Sequence, residues 1–248
     1  MSIAENNDQA KSKPLVSIIV VTFNAGKYLK HCLDSILKQA PKDIEIIIKD
    51  GGSTDDTASI VKAYEKHIAI YESSPDTGIY DAMNRAVKLA HGKWLYFLGA
   101  DDRLEAGFSA MCNLLQDENT IYYGDCITDK GFFGGKFSTY KLTKSFMCQQ
   151  AIFYPAVVFK KYSYDVRFRV YADLALNIKC WGDDEIKKQY HPLTIAWYNL
   201  TGFSSAPKDD LFKQEKQSLI KANFPKLVYL RYLYKRRKEQ RKPGSDFY

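Results

Sequence analysis

Two adjacent carboxylates, Asp101 and Asp102, stand just beyond the apolar run WLYFL from Trp94 to Leu98, separated from it only by Gly99 and Ala100. Such a run predicts a buried strand, and neighbouring carboxylates repel each other and are costly to bury without a partner. A hard divalent cation relieves that cost, because Mg2+ and Mn2+ prefer oxygen ligands, take few of them from protein and complete their shell with diphosphate oxygens and water. The residues alone leave an alternative open, a solvated turn or an N-cap for a helix from Ala106.

Further polar residues stand where other predicted strands end. Thr22 and Asn24 close the first apolar run, Asp50 follows the second, and the segment from Pro75 to Arg85 (PDTGIYDAMNR) follows the third. In open parallel sheets, ligands bind beyond the carboxyl ends of the strands. We therefore expect these residues and the acidic pair to converge on one crevice.

The elements that must position these residues are predicted from hydrophobic periodicity. Strand and helix alternate over the first hundred residues, which implies an α/β fold with a mainly parallel sheet and helices on both faces. After residue 104 the pattern becomes mixed. Ser53 or Thr54 is a candidate N-cap for the helix that begins near residue 57. The predicted strands are 15–22, 44–48, 68–71, 94–98, 121–137 (strand, turn and strand), 151–154 and 193–200, and the other predicted helices begin near residues 27, 79, 106, 171 and 211.

Composition is that of an ordinary globular protein. The chain has 248 residues, 46% of them hydrophobic, which suffices for one substantial core. No apolar run approaches the roughly 20 residues that span a bilayer. Residues 1–13 are polar and lack the apolar centre of a secretory signal, so we interpret them as a disordered leader. The five cysteines are scattered without a CxxC pair, which indicates neither a zinc site nor a disulfide framework and favours the cytoplasm.

The net charge of +7 is concentrated near the C-terminus. Lys226 to Lys242 contains eight Lys/Arg residues and one Glu, so the rest of the chain is neutral in sum. A nucleic-acid-binding domain would carry a basic face of its own, and we expect no nucleic-acid partner. Basic residues alternate here with Leu and Tyr, which suits an anionic membrane surface. The alternative is a solvated helix that packs on the domain.

Four segments, in order and with fitting spacing, resemble glycosyltransferase family 2, whose fold is called GT-A. The similarity extends over roughly residues 14 to 104, and it is closest to the bacterial enzymes that build capsules, O-antigens and exopolysaccharides. The four segments are SIIVVTFN (17–24), DGGSTDDT (50–57), PDTGIYDAMNR (75–85) and FLGADD (97–102).

The resemblance implies a domain organisation and an activity. It implies one GT-A domain at 14–223, with a nucleotide-sugar-binding half (14–104) and an acceptor-binding half (105–223), before a basic and aromatic tail (224–248). The implied reaction is inverting transfer of a hexose or N-acetylhexosamine from a UDP-sugar to a lipid-linked or polysaccharide acceptor, in the cytoplasm or at the inner face of the cell membrane. Two alternatives are a non-catalytic glycan-binding subunit and a sugar-nucleotide nucleotidyltransferase, for whose phosphate loop residues 22–27 are too short.

The resemblance also implies contacts to the donor. Asp50 would accept a hydrogen bond from the uracil N–H, for which a carboxylate is a suitable acceptor. Thr22 and Asn24 would contact the nucleoside, and Asp76 and Arg85 would flank the base or the donor sugar. Asp50 could instead shape the following turn, and Arg85 could lie on a solvated helix face.

At the reacting end, the resemblance implies a metal and a catalytic base. Asp101 would lie near the ribose and the metal, and Asp102 would bind Mn2+ or Mg2+, which neutralises charge on the leaving diphosphate. Asp173, about 70 residues later, would take the proton of the acceptor hydroxyl. Its alternative is a first-turn carboxylate that complements a helix dipole, and Asp183 and Asp184 are weaker candidates for the base.

One departure from the family pattern concerns Gln149 and Gln150. The family often has His-Gln in the segment that reads CQQA here, so Gln149 stands where a histidine would be. Glutamine donates and accepts hydrogen bonds but does not titrate, which argues against an acid–base role at that position. Gln150 is expected to contact the donor sugar or the acceptor.

Overall fold

A computed structural model describes residues 13–201 and 209–241. Of the predicted leader (1–13) only Lys13 is among them, and the end of the predicted tail, 242–248, also lies outside. The strands in these residues are β1 (Val16–Thr22), β2 (Ile44–Asp50), β3 (Ile70–Ser73), β4 (Trp94–Gly99), β5 (Arg103–Leu104), β6 (Thr120–Thr128), β7 (Gly131–Phe133), β8 (Ile152–Pro155) and β9 (Lys187–Trp197). The helices are α1 (Leu29–Gln39), α2 (Thr57–Ala63), α3 (Ile79–Val87), α4 (Gly107–Cys112), α5 (Thr139–Leu142), α6 (Ala156–Lys161), α7 (Ala172–Gly182), α8 (Asp210–Asn223) and α9 (Lys226–Gln240).

The strands form one mixed sheet in the order β3-β2-β1-β4-β8-β6-β9-β5, with β7 paired to β6. The neighbours among β1 to β4 are parallel, β8 is antiparallel to both β4 and β6, and β9 runs parallel to β6. The predicted α/β architecture is therefore confirmed. The parallel part places the carboxyl ends of β1 to β4 along one edge, where polar residues were expected to meet.

The central strands are covered on both faces. All seven residues of β1 are buried, as expected of a parallel strand between two helical layers. Because successive side chains point to opposite faces, Ile19 and Val21 belong to one core cluster, with residues of α3 and α7, and Ile18 and Val20 to a second, with residues of α1 and α4.

Strand β9 begins earlier than predicted. It starts at Lys187 instead of Leu193, because Lys187 to Tyr190 pair in parallel with Thr120 to Tyr123 of β6. This stretch is polar and half-exposed, so its extended conformation depends on pairing with β6 and leaves little hydrophobic signal. The short elements β5, α5 and α6 were not predicted for a similar reason.

The predicted cap of α2 is wrong. The helix begins at Thr57, and its first N–H is bound by Asp55 Oδ1 at 3.1 Å, whereas neither Ser53 nor Thr54 caps it. The Ser53 hydroxyl instead donates to Asp50 Oδ1 at 2.5 Å. The buried carboxylate of Asp50 needs hydrogen-bond donors, and this need outweighs the tendency of serine to cap a helix.

The predicted tail forms helix α9, which packs on the domain. Tyr232 is buried, and Val228, Tyr229 and Leu233 pack against the same core cluster as α3 and α7. Tyr229 also accepts a hydrogen bond from Gln217 of α8 at 3.2 Å. Among the described residues, no helix is both long and apolar enough to cross a membrane.

Candidate active site

Asp50 lies at the centre of the first group of predicted site residues. Its carboxylate is only 1% exposed and accepts five hydrogen bonds. Burial raises its pKa, but the donors outweigh burial, so the pKa lies below its usual value. The five donors are Thr22 Oγ1 (3.0 Å), Gly52 N (3.2 Å), Ser53 N (2.9 Å), Ser53 Oγ (2.5 Å) and Ser73 Oγ (2.6 Å).

These contacts join the ends of three parallel strands, since Thr22 ends β1, Asp50 ends β2 and Ser73 ends β3. The turn-forming alternative for Asp50 is thus present in the fold. A hydrogen bond from uracil to Asp50 stays a prediction. It requires that one of the five present donors moves away from the carboxylate.

Asn24 connects the loop after β1 to the loop after β2. Its backbone N–H donates to Ser53 Oγ at 2.7 Å, and its Oδ1 accepts from the Thr54 N–H at 3.0 Å. Its φ of 49° is in the left-handed region, where asparagine is among the residues tolerated best. The exposed Phe23 therefore stands beside this paired loop, next to Gly51.

Asp76 and Arg85 belong to the segment after β3. Asp76 Oδ1 accepts from the Gly78 N–H at 2.9 Å, and its Oδ2 faces Gly51, where an added Cβ would lie only 2.7 Å away. Arg85 forms a two-point ion pair with Asp81, at 3.2 and 2.8 Å, and donates to the Pro75 carbonyl at 2.9 Å. Asp76 thus lies beside Gly51, in the loop after β2. Arg85 stabilises the segment from Pro75 to Asp81 through these contacts, so it is not simply a solvated residue of α3.

Asp101 and Asp102 follow β4 and converge above Gly99. Asn199, just beyond β9, holds both: its backbone N–H donates to Asp102 Oδ1 at 2.8 Å and its side-chain amide to Asp101 Oδ2 at 2.9 Å. The Gln150 amide donates to Asp102 Oδ2 at 2.6 Å. A Cβ on Gly99 would lie 2.6 Å from Asp102 Oδ2 and 3.0 Å from Asp101 Oδ1, so the glycine keeps this space open.

The chemistry of the acidic pair fits a divalent cation. Burial raises the pKa of Asp102 to about 7, and the Asp101 carboxylate adds to the increase, although the Asn199 N–H opposes it. A cation would favour the charged form of both groups. Within the described part of the chain, no three His, Cys, Asp or Glu side chains form a metal-binding group. A metal here would therefore take the remaining ligands from phosphate oxygens and water.

Asp173 lies in the first turn of α7 and lines the same cavity as Asp101 and Asp102. Its Oδ1 accepts from the Leu174 N–H at 2.7 Å and lies 3.1 Å from the Tyr80 hydroxyl. Burial raises its pKa to about 6, while these donors limit the increase. This value suits a group that must accept a proton near neutral pH. By contrast, Asp183 is bound to Lys161 and Tyr162 away from this cavity, beside Asp184.

The two glutamines differ in their contacts. Gln149 donates to the Tyr164 hydroxyl at 2.8 Å, and Gln150 donates to Asp102. Both line the cavity. The expected sugar contact of Gln150 stays a prediction, and its amide already orients the acidic pair.

The predicted site residues thus form two neighbouring groups. Thr22, Asn24, Asp50 and Asp76 gather at the ends of β1 to β3. The cavity beside β4 brings together Asp101, Asp102, Gln150 and Asp173, with four residues that sequence reasoning missed: Tyr80, Tyr171, Tyr198 and Asn199.

Comparison with known sequences identifies the family. A profile described as “Glycosyl transferase family 2” matches residues 17–175. A PGL/p-HBAD biosynthesis glycosyltransferase of Mycobacterium bovis is 40% identical over 200 residues, which covers 76% of this chain and 78% of that protein. A chondroitin synthase of Escherichia coli is 34% identical over 152 residues, 56% of this chain and 22% of that protein.

Solved structures share the fold at low sequence identity. S. aureus TarS in complex with UDP matches with a TM-score of 0.70 at 20% identity, covering 92% of this chain and 73% of that one. TarS in complex with UDP-GlcNAc gives 0.68 at 19%, with the same coverage. The mannosyltransferase PcManGT from Pyrobaculum calidifontis, in complex with GDP-Man and Mn2+, gives 0.57 at 16%, covering 91% and 65%.

These findings confirm the predicted family and enzyme class, and they favour the first of the three functional hypotheses over the nucleotidyltransferase and the non-catalytic subunit. The family match spans more than half of the chain, and the mycobacterial relative extends over three quarters of it. The chain belongs to glycosyltransferase family 2 and is a glycosyltransferase with the GT-A fold.

Proposed function

We propose that this enzyme transfers a hexose or N-acetylhexosamine, with inversion, from a UDP-sugar to a lipid-linked or polysaccharide acceptor in cell-surface glycan synthesis. The observation that carries the proposal is the shared cavity: a carboxylate with a raised pKa, Asp173, lines the same space as the acidic pair Asp101-Asp102. Inverting transfer needs these two functions, a base for the acceptor and a site for the leaving diphosphate.

The donor assignment is supported by a relative and by the first group of site residues. TarS, which shares the fold, was crystallised with UDP and with UDP-GlcNAc. Asp76 and the exposed Phe23 lie against Gly51, and Asn24 is bound to the neighbouring Ser53, at the ends of β1 to β3. A polar rim with one aromatic face suits a nucleobase, which stacks on its flat side and forms hydrogen bonds at its edge.

Asp101 and Asp102 would hold Mn2+ or Mg2+ against the diphosphate, and the bound cation would neutralise the charge that develops on the leaving UDP. Asn199 and Gln150 orient the two carboxylates through the hydrogen bonds described above. PcManGT, with the same fold, was crystallised with Mn2+.

On the acceptor side, Asp173 would remove the proton from the attacking hydroxyl. Tyr80 and the N-terminus of α7 hold its carboxylate at the cavity wall. The acceptor class is supported by the relatives, one named for PGL/p-HBAD biosynthesis and another as a chondroitin synthase. A lipid-linked acceptor would bring the enzyme to the inner face of the cell membrane, where the basic residues of α9 suit anionic lipids.

The test compares Asp173→Asn with the matched control Asp184→Asn, whose carboxylate lies in a separate surface hollow. We expect Asp173→Asn to lower kcat by at least about a hundredfold, as is typical for loss of a general base, with unchanged UDP-sugar binding by calorimetry. The control should keep its turnover. In the native enzyme kcat should fall as the pH drops below about 6, because Asp173 must be deprotonated to act. Full turnover by Asp173→Asn would assign the base elsewhere.

A further inference from the structure

Helix α9 has two chemically different faces. Its inner face, with Val228, Tyr229, Tyr232 and Leu233, packs on the domain. The outer face is left to solvent, and its apolar members include Leu227, 80% exposed, and Tyr234, 72% exposed. The other exposed basic and apolar residues of this face are Lys226, Leu230, Arg231, Arg237 and Lys238, and the exposed Arg241 directly follows the helix.

The outer face combines basic and apolar side chains and carries no acidic one. Glu239, the one acidic residue of α9, is only partly exposed and pairs with Lys235 at 2.5 Å. Apolar side chains that project between Lys and Arg residues are the pattern of helices that lie in a membrane interface. Although α9 packs on the domain, its outer face therefore still presents this combination of basic and apolar side chains to solvent.

A second basic and aromatic segment, residues 130–146, lies between β6 and the cavity. It holds four lysines and no acidic residue. Phe132 is 66% exposed, and Lys130, Lys136, Lys144 and Phe146 are exposed as well. Residues 226–241 hold seven Lys/Arg and one Glu, so the two segments together carry a formal charge of +4 and +6, or +10. The whole chain carries +7, and the rest of it is therefore net negative.

Direct contacts join the two segments. The Arg231 guanidinium of α9 lies 3.8 Å from the centre of the Tyr140 ring, and the Lys144 ammonium lies 4.3 Å from that centre. Lys141 donates to the carbonyls of Gly134 and Lys136 at 3.1 and 3.3 Å, which ties α5 to the strand β7 hairpin.

The same surface reaches the mouth of the cavity. Phe133 of β7 packs against Phe146, with ring centres 5.1 Å apart, and Phe146 lines the cavity that holds Asp102 and Asp173. Phe132 pairs with Ile127 of β6, and both are exposed on the face of the hairpin opposite to Phe133.

We propose that residues 130–146 and the outer face of α9 form one basic aromatic surface, which docks on an anionic lipid bilayer and places the cavity mouth at the headgroups. The positive charge selects anionic headgroups, and the exposed Leu, Phe and Tyr side chains supply apolar area for the interface. Nucleic acids and acidic glycans would need the charge but not the exposed aliphatic residues Leu227 and Leu230. The benefit for catalysis, access to a lipid-linked acceptor, rests on the proposed function, whereas docking itself does not.

The experiment measures co-sedimentation of the full chain with vesicles of phosphatidylcholine alone or mixed with phosphatidylglycerol, without donor or acceptor. Three variants each lose two positive charges and one exposed apolar side chain. The hairpin variant is Lys130→Gln/Phe132→Ser/Lys136→Gln, and the helix variant is Leu230→Ser/Arg237→Gln/Lys238→Gln. The matched control, Leu37→Ser/Lys38→Gln/Lys62→Gln, changes exposed residues of α1 and α2, whose buried residues belong to the other core cluster.

We expect binding of the native chain only to vesicles that contain phosphatidylglycerol. The hairpin and helix variants should each bind at least about 25-fold more weakly, since each of the two lost basic residues contributes about fivefold near such a surface and the lost apolar side chain adds to this. Native-like binding by the hairpin variant would overturn the joint surface, even if the helix variant is impaired. Equal binding to both vesicle types, or retention by a polyanion such as heparin without vesicle binding, would overturn docking altogether. UDP release in solution, measured in parallel, tests the proposed function separately and controls for folding of the variants.

Discussion

At the scale of single residues, the acidic pair is held by contacts that come from three parts of the chain. Asp101 and Asp102 lie after β4, Gln150 lies before β8, and Asn199 follows β9. These donors fix the direction of both carboxylates before any ligand binds. Pre-orientation of this kind lowers the cost of forming a charged site.

Gly99 is predicted to be essential for the acidic pair. In Gly99→Ala the new methyl group would lie 2.6 Å from Asp102 Oδ2 and 3.0 Å from Asp101 Oδ1. Both carboxylates must therefore move away from the methyl group and from their present positions. We expect the Mn2+ concentration for half-maximal UDP binding, measured by calorimetry, to rise at least about tenfold, equivalent to 1.4 kcal/mol. Overpacking should also lower the free energy of unfolding by about 1–3 kcal/mol.

Ala100→Gly serves as the control, because it alters the neighbouring residue without adding an atom near the carboxylates. It should leave the Mn2+ dependence unchanged. If Gly99→Ala keeps the native Mn2+ dependence, the space above Gly99 is not part of a metal site.

The sequence identifies some of these residues better than others. Asp101-Asp102 and Asp173 are predictable because adjacent carboxylates at a strand end and an acidic first turn both leave local patterns, which the family resemblance then connects. Asn199 and Tyr80 carry no such pattern. They reach the site because β9 ends in the same sheet and α3 packs against it. A single polar residue at an element's end is equally common in solvated loops.

At the scale of elements, Asp50 acts as a junction of three strands. Thr22 of β1 and Ser73 of β3 both donate to a carboxylate at the end of β2, and the Ser53 loop closes over it. Buried Lys49 supports the same junction by donating to the carbonyls of Asp50 and Ser74. The part of the site that we propose for the nucleoside is therefore organised by strand ends as well as by loops.

Asp50→Asn is predicted to destabilise the fold. The amide nitrogen would face hydrogen-bond donors in a buried position, and the free energy of unfolding in urea should fall by about 3 kcal/mol. Ser73→Ala, which removes one donor and leaves the carboxylate, should cost only about 1 kcal/mol. Equal losses in the two variants would mean that the strand junction does not depend on the carboxylate.

The same junction predicts a pH dependence. Since the pKa of Asp50 in the fold lies below its usual value, its contribution is fully present above the unfolded pKa of about 4 and is lost as the pH falls through the folded pKa. The stability difference between the native chain and Asp50→Asn should therefore narrow below about pH 4. A constant difference across that range would contradict this sign.

The elements also show where hydrophobic periodicity is sufficient to predict a strand or a helix. Strands β1, β2 and β4 are buried on both faces, and each contains a run of at least three consecutive apolar residues, so the pattern is strong. Lys187 to Tyr190 of β9 pair with β6 while they remain half-exposed, and the four-residue helix α5 is too short for a period to appear. Their conformations depend on tertiary partners that the local sequence does not encode.

At the scale of the whole molecule, one sheet joins the two halves that the resemblance distinguishes. Strands β1 to β4 come from residues 14–104, and β6, β8 and β9 from residues 105–223. The acidic pair belongs to the first half, whereas Asp173 and Asn199 belong to the second. A UDP-sugar bound as proposed would therefore contact both halves and stabilise them together.

This arrangement predicts that UDP and a metal stabilise the protein jointly. At a ligand concentration a hundred times the Kd, binding adds about 2.7 kcal/mol, which corresponds to an increase in Tm of about 5–10 °C for a chain of this size. We expect this increase as a single transition with UDP and Mn2+ together, and only a small increase with UDP in the presence of EDTA.

Uridine monophosphate, which lacks the second phosphate, serves as the control ligand. With Mn2+ it should raise Tm much less, because the acidic pair alone offers the cation too few ligands. Asp102→Asn should abolish the Mn2+-dependent part of the increase. An unchanged increase with EDTA would show that donor binding does not need a metal, and the role of Asp101-Asp102 would then be limited to the sugar and ribose.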